Sequence, residues 1–213
     1  MPSSTAAAWP SPGRFALALI LGLAVTLAAA WAWGEALIET VLPVARILLG
    51  WIDDRFGIVF LGIEHNWQDT VVRLRVTPKE MFVMGGQVIN VNNMHWLEVT
   101  TTTGAMLHAL VIAPAIAVAL PGTLLTRIAA SALAALLALG FLLLDLPLTL
   151  FAFTWDILVD GLEPDRFSPL LRWHEFLHAG GRLGMGVLMG LLAWRIESAV
   201  NARWDGRQAR HLS

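Results

Sequence analysis

Long stretches without charged residues restrict the fold of this chain more than any other feature. Residues 15–33 contain no ionisable side chain. The only ionisable residue in 104–120 is a histidine, and the only one in 128–153 is an aspartate. About 20 apolar residues in a helix cross the ~30 Å hydrocarbon core of a bilayer. Hydrophobic residues make up 57% of the 213 positions and charged residues 14%, against about 25% charged in soluble domains. An all-α integral membrane protein is predicted.

About four transmembrane helices are predicted, with a small extracytoplasmic β-rich insert between the first and the second. The pair Ser168–Pro169 is a good N-cap and first-turn pair for the fourth helix. The predicted segments are an N-terminus (1–14), helix one (15–38), the amphipathic and β-rich insert (39–103), helices two and three (104–154), an acidic loop (155–168), helix four (169–196) and a basic tail (197–213).

The distribution of basic residues predicts the orientation. Arginines precede helix one, occupy the short turn between helices two and three, and follow helix four, at Arg14, Arg127, Arg203, Arg207 and Arg210. Basic residues near membrane helices favour the cytoplasmic side. Both termini are therefore expected in the cytoplasm, in the inner (cytoplasmic) membrane of the cell, with the insert and the acidic loop outside. The 10 Trp residues suit the membrane boundary, and lipid is an expected partner.

Alternation in the insert predicts short strands. Val72, Leu74 and Val76 alternate with Arg73 and Arg75, which is the period of a half-buried strand. Glycine and asparagine pairs separate further predicted strands at 81–84, 87–91 and 94–99, together forming a small antiparallel meander. Residues 42–51 are expected to form an interfacial helix before it.

Two aspects of composition exclude whole classes of function. The net charge of −2 provides no basic field for nucleic acid. The absence of cysteine excludes disulfides, thiolate metal sites and cysteine nucleophiles.

The string His174-Glu175-Phe176-Leu177-His178 is the one local motif typical of an enzyme. On a helix, the two histidines share a face and can bind zinc, while Glu175 can act as a general base. A third ligand would have to come from the acidic loop: Asp156, Asp160, Glu163 or Asp165. The alternative is a polar turn at the lipid headgroups. We expect no cofactor, with zinc or copper as the possible exception.

Three ionisable residues inside apolar helices form a second candidate site. Arg182 is expected one turn beyond His178 on the same face, at a depth similar to His108 and Asp145. A charge inside a membrane helix normally faces a partner or a wet cavity. The group is predicted either to form a polar pocket open to the exterior or to pair internally, for example Arg182 with Asp145.

Small residues on helix four predict close helix packing. Gly180, Gly184, Gly186 and Gly190 form overlapping small-xxx-small patterns, a packing surface for a helix of this chain or of a partner membrane protein. The hydroxyls of residues 100–103 are expected to cap the start of helix two.

The junction between insert and helix two resembles the exosortase and archaeosortase family. The residues concerned are Gly86-Gln87-Val88-Ile89, then Leu97-Glu98-Val99, four threonines, and Gly104 at the start of a membrane helix. A final helix that begins with histidine and continues through spaced glycines is also similar. The family's nucleophilic cysteine falls at about Thr102, so the resemblance implies a relative without the catalytic cysteine, or a membrane protein associated with exosortase systems.

The resemblance implies a non-catalytic accessory or assembly protein that holds a partner, or the membrane tail of a protein being sorted to the cell surface. Two alternatives remain open. One is a membrane metallohydrolase that uses His174, Glu175 and His178. The other is a structural subunit of a larger membrane complex, which contacts its neighbours through the glycines of helix four.

Overall fold

The computed structural model describes residues 11–66, 69–90 and 96–211. The helices are α1 (Pro12–Ile52), α2 (Thr103–Ala119), α3 (Leu124–Leu162), α4 (Pro169–Phe176) and α5 (Arg182–His211), with a π-helical turn at Leu177–Gly181. The strands are β1 (Phe56–Asn66), β2 (Asp69–Pro78), β3 (Phe82–Met84), β4 (Gln87–Ile89) and β5 (Leu97–Thr102). The protein is mainly helical with a small sheet, which agrees with the coarse prediction.

Within the described residues, three helical segments are long and apolar enough to cross a membrane: Pro12–Ile52, Leu124–Leu162 and Pro169–Arg203. The helix predicted second, α2, is apolar but has only 17 residues, a length of about 26 Å at 1.5 Å per residue. The fold is therefore compatible with a membrane protein that has three full-length spans and one short apolar helix.

Helix α1 is a single helix of 41 residues with Pro43 inside it. The amphipathic segment expected at 42–51 is thus the end of α1 and not a separate interfacial helix. Large apolar side chains such as Leu17, Ile20 and Val25 are exposed in the first half. The second half buries one stripe at intervals of three or four residues: Gly34, Ile38, Val41, Ala45 and Leu49. The helix changes along its length from apolar all round to one-sided.

Helix α3 is also longer than predicted and continues to Leu162. Asp156 and Asp160 accordingly lie on a helix, and only 163–168 remain of the acidic loop expected at 155–168. The end of the loop is as predicted, because the side chain of Ser168 accepts a hydrogen bond from the Leu171 N–H and Pro169 begins α4.

The chain divides into two compact units. The first contains the described residues up to Trp31 together with His108–Gly140 and the chain from Arg182. Within it, α1 lies so close to α2 that a Cβ on Gly22 would be 3.2 Å from Ala115 Cα. The Trp194 indole of α5 donates a hydrogen bond to Pro121 O, 2.9 Å away. This unit is a packed group of helices.

The second unit contains Ala32–Leu107 and Phe141–Gly181. Its main sheet is antiparallel with strand order β1-β2-β5, and β3 and β4 form a separate hairpin. One small cavity is lined by Leu49 of α1, Leu74 of β2 and Phe151 of α3, among others. The sheet and the ends of two long helices therefore share one apolar core.

The predicted meander is correct in part. β2 has the predicted alternation, with Val72, Leu74 and Val76 buried, and β3 and β4 lie within the predicted ranges. The order is different, since β5 pairs with β2. The strand expected at 94–99 lies partly outside the described residues, and β5 extends to Thr102. Residues 100–102 thus belong to a strand, although Thr102 Oγ1 still accepts a bond from Ala105 N as the capping prediction requires.

Candidate functional site

The two histidines of the H-E-x-x-H motif lie close together. Their ring centroids are 5.8 Å apart and the ring planes differ by 30°. The ring of His174 also contacts Phe153 edge-on, at 4.5 Å. Glu175 accepts a 2.8 Å bond from Arg172 and is exposed, so the carboxylate that would serve as general base is paired with an arginine.

No third ligand joins the two histidines in the part of the chain that the structure describes. Among those residues, no group of three or more His, Cys, Asp or Glu side chains is arranged to hold a metal ion. Catalytic zinc sites ordinarily use three protein ligands. What the geometry provides is a pair of neighbouring imidazoles, of which that of His174 also packs against the Phe153 ring.

The helix is interrupted just after the H-E-x-x-H motif. Gly180 has φ +110° within the π-helical turn Leu177–Gly181, a backbone conformation that glycine adopts without strain. The helix expected from residue 169 is therefore kinked at this point, within the segment Pro169–Arg203. Arg182 starts α5 beyond this kink, and its shared face with His178 stays a prediction.

The three ionisable residues of the predicted intramembrane cluster differ in burial. Asp145 is 2% exposed and accepts a 2.9 Å bond from the Thr149 hydroxyl. Arg182 is 3% exposed, whereas His108 is exposed. Asp145 belongs to the second unit and the other two residues to the first. Their predicted convergence, as pocket or ion pair, stays a prediction.

Two of the four glycines in the predicted packing motif contact α2. A Cβ on Gly186 would be 3.2 Å from Ala109 Cα, and one on Gly190 would be 2.6 Å from Ala113 O. Gly180 and Gly184 have open space at the same position. The packing prediction is confirmed for Gly186 and Gly190 as a contact within the chain, and for Gly180 and Gly184 it stays a prediction.

A network of charged residues covers the outer face of the main sheet. Arg73 and Arg75 of β2 both bind the carboxylate of Glu98 on β5, and Arg73 also pairs with Glu64 of β1 at 2.9 Å. The hydrogen bond from Arg75 lowers the pKa of Glu98 and correspondingly raises the pKa of Arg75. The alternation in β2 predicts both arginines on this face, but their glutamate partners come from strands whose register the sequence does not specify.

The β3–β4 hairpin is fastened to the end of α3. The Gly85 N–H donates a 2.8 Å hydrogen bond to Glu163 Oε1, and Glu163 also pairs with Arg166 at 2.7 Å. These interactions, led by the Gly85 N–H, lower the pKa of Glu163. Composition offers no signal for this long-range contact.

An aromatic and arginine stack lies beside the same hairpin. The Arg55 guanidinium is 5.1 Å from the Phe82 ring centroid and 5.7 Å from that of Trp155, and Arg166 is 5.2 Å from the Trp155 ring. Asp53 holds Arg55 in place with a hydrogen-bonded ion pair of 2.5 Å. The hydrogen bond to Asp53 raises the pKa of Arg55. The stack contributes to holding β3 against α3.

Comparison with known proteins identifies no relative of this chain. No family model, no curated protein and no solved structure matches it.

Proposed function

We propose that this chain is a non-catalytic accessory or assembly protein of an exosortase-type protein-sorting system. In this proposal it resides in the inner (cytoplasmic) membrane with both termini in the cytoplasm. It holds a partner, or the membrane tail of a protein being sorted, on the extracytoplasmic side. The resemblance over residues 86–104 provides the link to sorting.

The observation that carries the proposal is the length of two helices. α1 and α3 have 41 and 39 residues, about 60 Å each at 1.5 Å per residue, twice the ~30 Å hydrocarbon thickness. In both, the first half has one charged residue near its start, Arg14 in α1 and Arg127 in α3, and is otherwise largely apolar. The second half carries several charges, including Glu35, Glu39 and Arg46 in α1 and Asp156 and Asp160 in α3. Such helices suit a protein that supports a small sheet just outside the membrane.

The absence of cysteine supports a role without catalysis. The segment that resembles the cysteine-bearing stretch of the family has threonine in all four positions from 100 to 103. A threonine hydroxyl is a weak nucleophile without an adjacent activating base. Thr101 is buried in β5, and Thr103 donates its hydroxyl to Thr70 O at 3.1 Å. These threonines support the end of the sheet and the start of α2.

A gene deletion in the host tests the proposal. We expect proteins with a C-terminal membrane tail to accumulate unprocessed in the membrane, as measured by quantitative membrane proteomics. The wild-type gene, supplied on a plasmid, is the control and should restore processing. Unchanged levels of tail-bearing precursors in the deletion strain would overturn the proposal.

A further inference from the structure

The contacts within the first unit define the direction of α1 relative to α2. Thr26 Oγ1 of α1 donates a hydrogen bond to Val111 O of α2 at 2.9 Å. Gly22, one turn earlier in α1, lies against Ala115, one turn later in α2. The two helices are therefore antiparallel, and the start of α1 lies at the level of the turn that follows α2.

The other helices of the first unit meet at the same end. α3 begins directly after that turn, at Leu124. α5 runs parallel to α2, because Gly186 approaches Ala109 while Trp194, further along α5, donates its hydrogen bond to Pro121 O. The start of α1, the start of α3 and the part of α5 beyond Trp194 thus share one end of the unit.

This end carries four arginine side chains for which the described residues supply no hydrogen bond or ion pair: Arg14, Arg127, Arg195 and Arg203. We call these four residues the basic end. The Nε atom of Arg127 is enclosed and still lacks a hydrogen-bond partner within the described residues. The arginines of the second unit differ, because each of them is bonded: Arg46, Arg55, Arg73, Arg75, Arg166 and Arg172.

Acidic residues do not neutralise the basic end. Glu197 accepts a hydrogen bond from Asn201 Nδ2 at 3.0 Å. Beyond it, the sequence of α5 places one further acid, Asp205, against two further arginines, Arg207 and Arg210. The excess positive charge at this end therefore has to be balanced from outside the chain.

The exposed face of α5 connects an apolar stripe to this charge. Leu188, Leu192 and Ile196 follow one another at intervals of one turn and are 60%, 51% and 41% exposed. Such a face on a membrane helix contacts lipid tails. Arg203 lies two turns beyond Ile196 on the same face, ~10 Å further along the axis, and is exposed. It is therefore directed at the headgroups of the surrounding lipid, and not into the group of helices.

We propose that the basic end binds the phosphate groups of anionic phospholipids in the leaflet around it. This rests on the membrane location proposed above and adds the class of lipid that this end of the protein requires. A guanidinium group forms paired hydrogen bonds with phosphate oxygens. Because these arginines have no carboxylate partner in the described chain, the lipid has no internal ion pair to displace. An anionic leaflet supplies the opposite charge at the level where the arginines lie.

Native mass spectrometry of the purified protein tests the proposal. The protein in non-ionic detergent is mixed with equal amounts of phosphatidylglycerol and phosphatidylcholine, and the bound copies of each lipid are counted. We expect wild type to retain phosphatidylglycerol at least about tenfold more than phosphatidylcholine, because each arginine near an anionic surface contributes a factor of about five. The combined variant Arg14→Gln, Arg127→Gln and Arg203→Gln should lose this preference.

A matched variant separates the basic end from the overall charge. Arg46→Gln, Arg166→Gln and Arg172→Gln together remove the same charge from exposed arginines of the second unit, and should leave the preference unchanged. The single variant Arg203→Gln changes one exposed side chain, so it provides a test that does not depend on the folding of the triple variant. It should lower the preference about fivefold.

Equal retention of the two lipids by wild type, or an equal loss of preference in both triple variants, would overturn the proposal. Displacement of phosphatidylglycerol by an equimolar amount of inorganic phosphate would also overturn it, since the basic end would then be a site for free phosphate. The deletion experiment is independent of this one. Loss of sorting in the deletion strain without a lipid preference would leave the proposed function standing and reject the basic end as a lipid site.

Discussion

At the scale of single residues, Gly85 has the tightest surroundings in the hairpin. Its φ is +58°, and a Cβ there would lie 2.1 Å from Leu162 O. The neighbouring Gly86, with φ +74°, has open space. The two positions therefore separate the cost of backbone conformation from the cost of steric overlap.

We predict that Gly86→Ala lowers the free energy of unfolding by about 1–2 kcal/mol, the cost of a left-handed L-residue. Gly85→Ala should cost clearly more, because the hairpin must also move away from α3 and lose the bond to Glu163. Thermal unfolding in mild detergent measures both. Equal melting temperatures for the two variants would show that the hairpin does not lie against Leu162.

The pKa of Glu163 predicts a loss of stability in acid. Its pKa in the folded protein is below the ordinary 4.5, chiefly through the Gly85 N–H. A lowered carboxyl pKa stabilises the fold above the unfolded value and stops doing so as pH falls through the folded value. Melting temperatures recorded from neutral pH to below 4.5 should therefore fall less steeply for Glu163→Gln than for wild type. Glu80→Gln, in an exposed loop, should follow the wild-type curve, and identical curves for all three proteins would contradict the assignment.

The histidine pair leads to a prediction about metal content. Two imidazoles are fewer than the three protein ligands typical of catalytic zinc, and Glu175 is paired with Arg172. We expect protein purified without chelator to contain no stoichiometric metal by elemental analysis, with His178→Ala as the comparison. One equivalent of zinc or copper in wild type, absent from the variant, would favour the metallohydrolase.

At the scale of helices, the glycines of α5 differ in how closely they approach α2. A Cβ on Gly190 would be 2.6 Å from Ala113 O and 2.8 Å from Ile116 Cβ, whereas Gly184 has nothing within 4 Å. We predict that Gly190→Ala destabilises the protein by about 1–3 kcal/mol, the usual cost of overpacking, and that Gly184→Ala has little effect. Unfolding of each variant in detergent measures the difference. A stable Gly190→Ala protein would mean that the helices are further apart.

Some elements follow from the sequence and others do not, for identifiable reasons. Alternation predicts β2 because one face is apolar and the other carries Arg73 and Arg75. Alternation does not predict β1, because both faces of this strand are largely apolar up to Ile63. The break at Gly180 does have a sequence signal, the Gly180-Gly181 pair, but spaced glycines on an apolar helix indicate close helix packing equally well. Partner choice among strands, and hence the Glu98 ion pairs, depends on contacts distant in sequence.

At the scale of the whole molecule, orientation in the membrane is the property that the proposals share. We predict that a cysteine at Gln87 reacts with a membrane-impermeant thiol reagent in intact cells, and that one at Arg207 reacts only after lysis. The physical reason is the concentration of arginines at the chain ends and in the turn at Arg127. Each variant carries a single thiol, so the unsubstituted chain is the blank. Labelling of position 207 in intact cells would show that the orientation is the opposite of the predicted one.

The hydrogen bond between Gly85 and Glu163 can form only late in the synthesis of the chain. The two residues are 78 positions apart in the chain, and the glycine emerges from the ribosome first. At roughly 5–20 residues per second, the hairpin waits on the order of 4–16 seconds before its anchor has been made. During that interval Val83 and the rest of the hairpin lack the support of α3, so we expect the hairpin of a newly made chain to be more open to proteases than that of the finished protein.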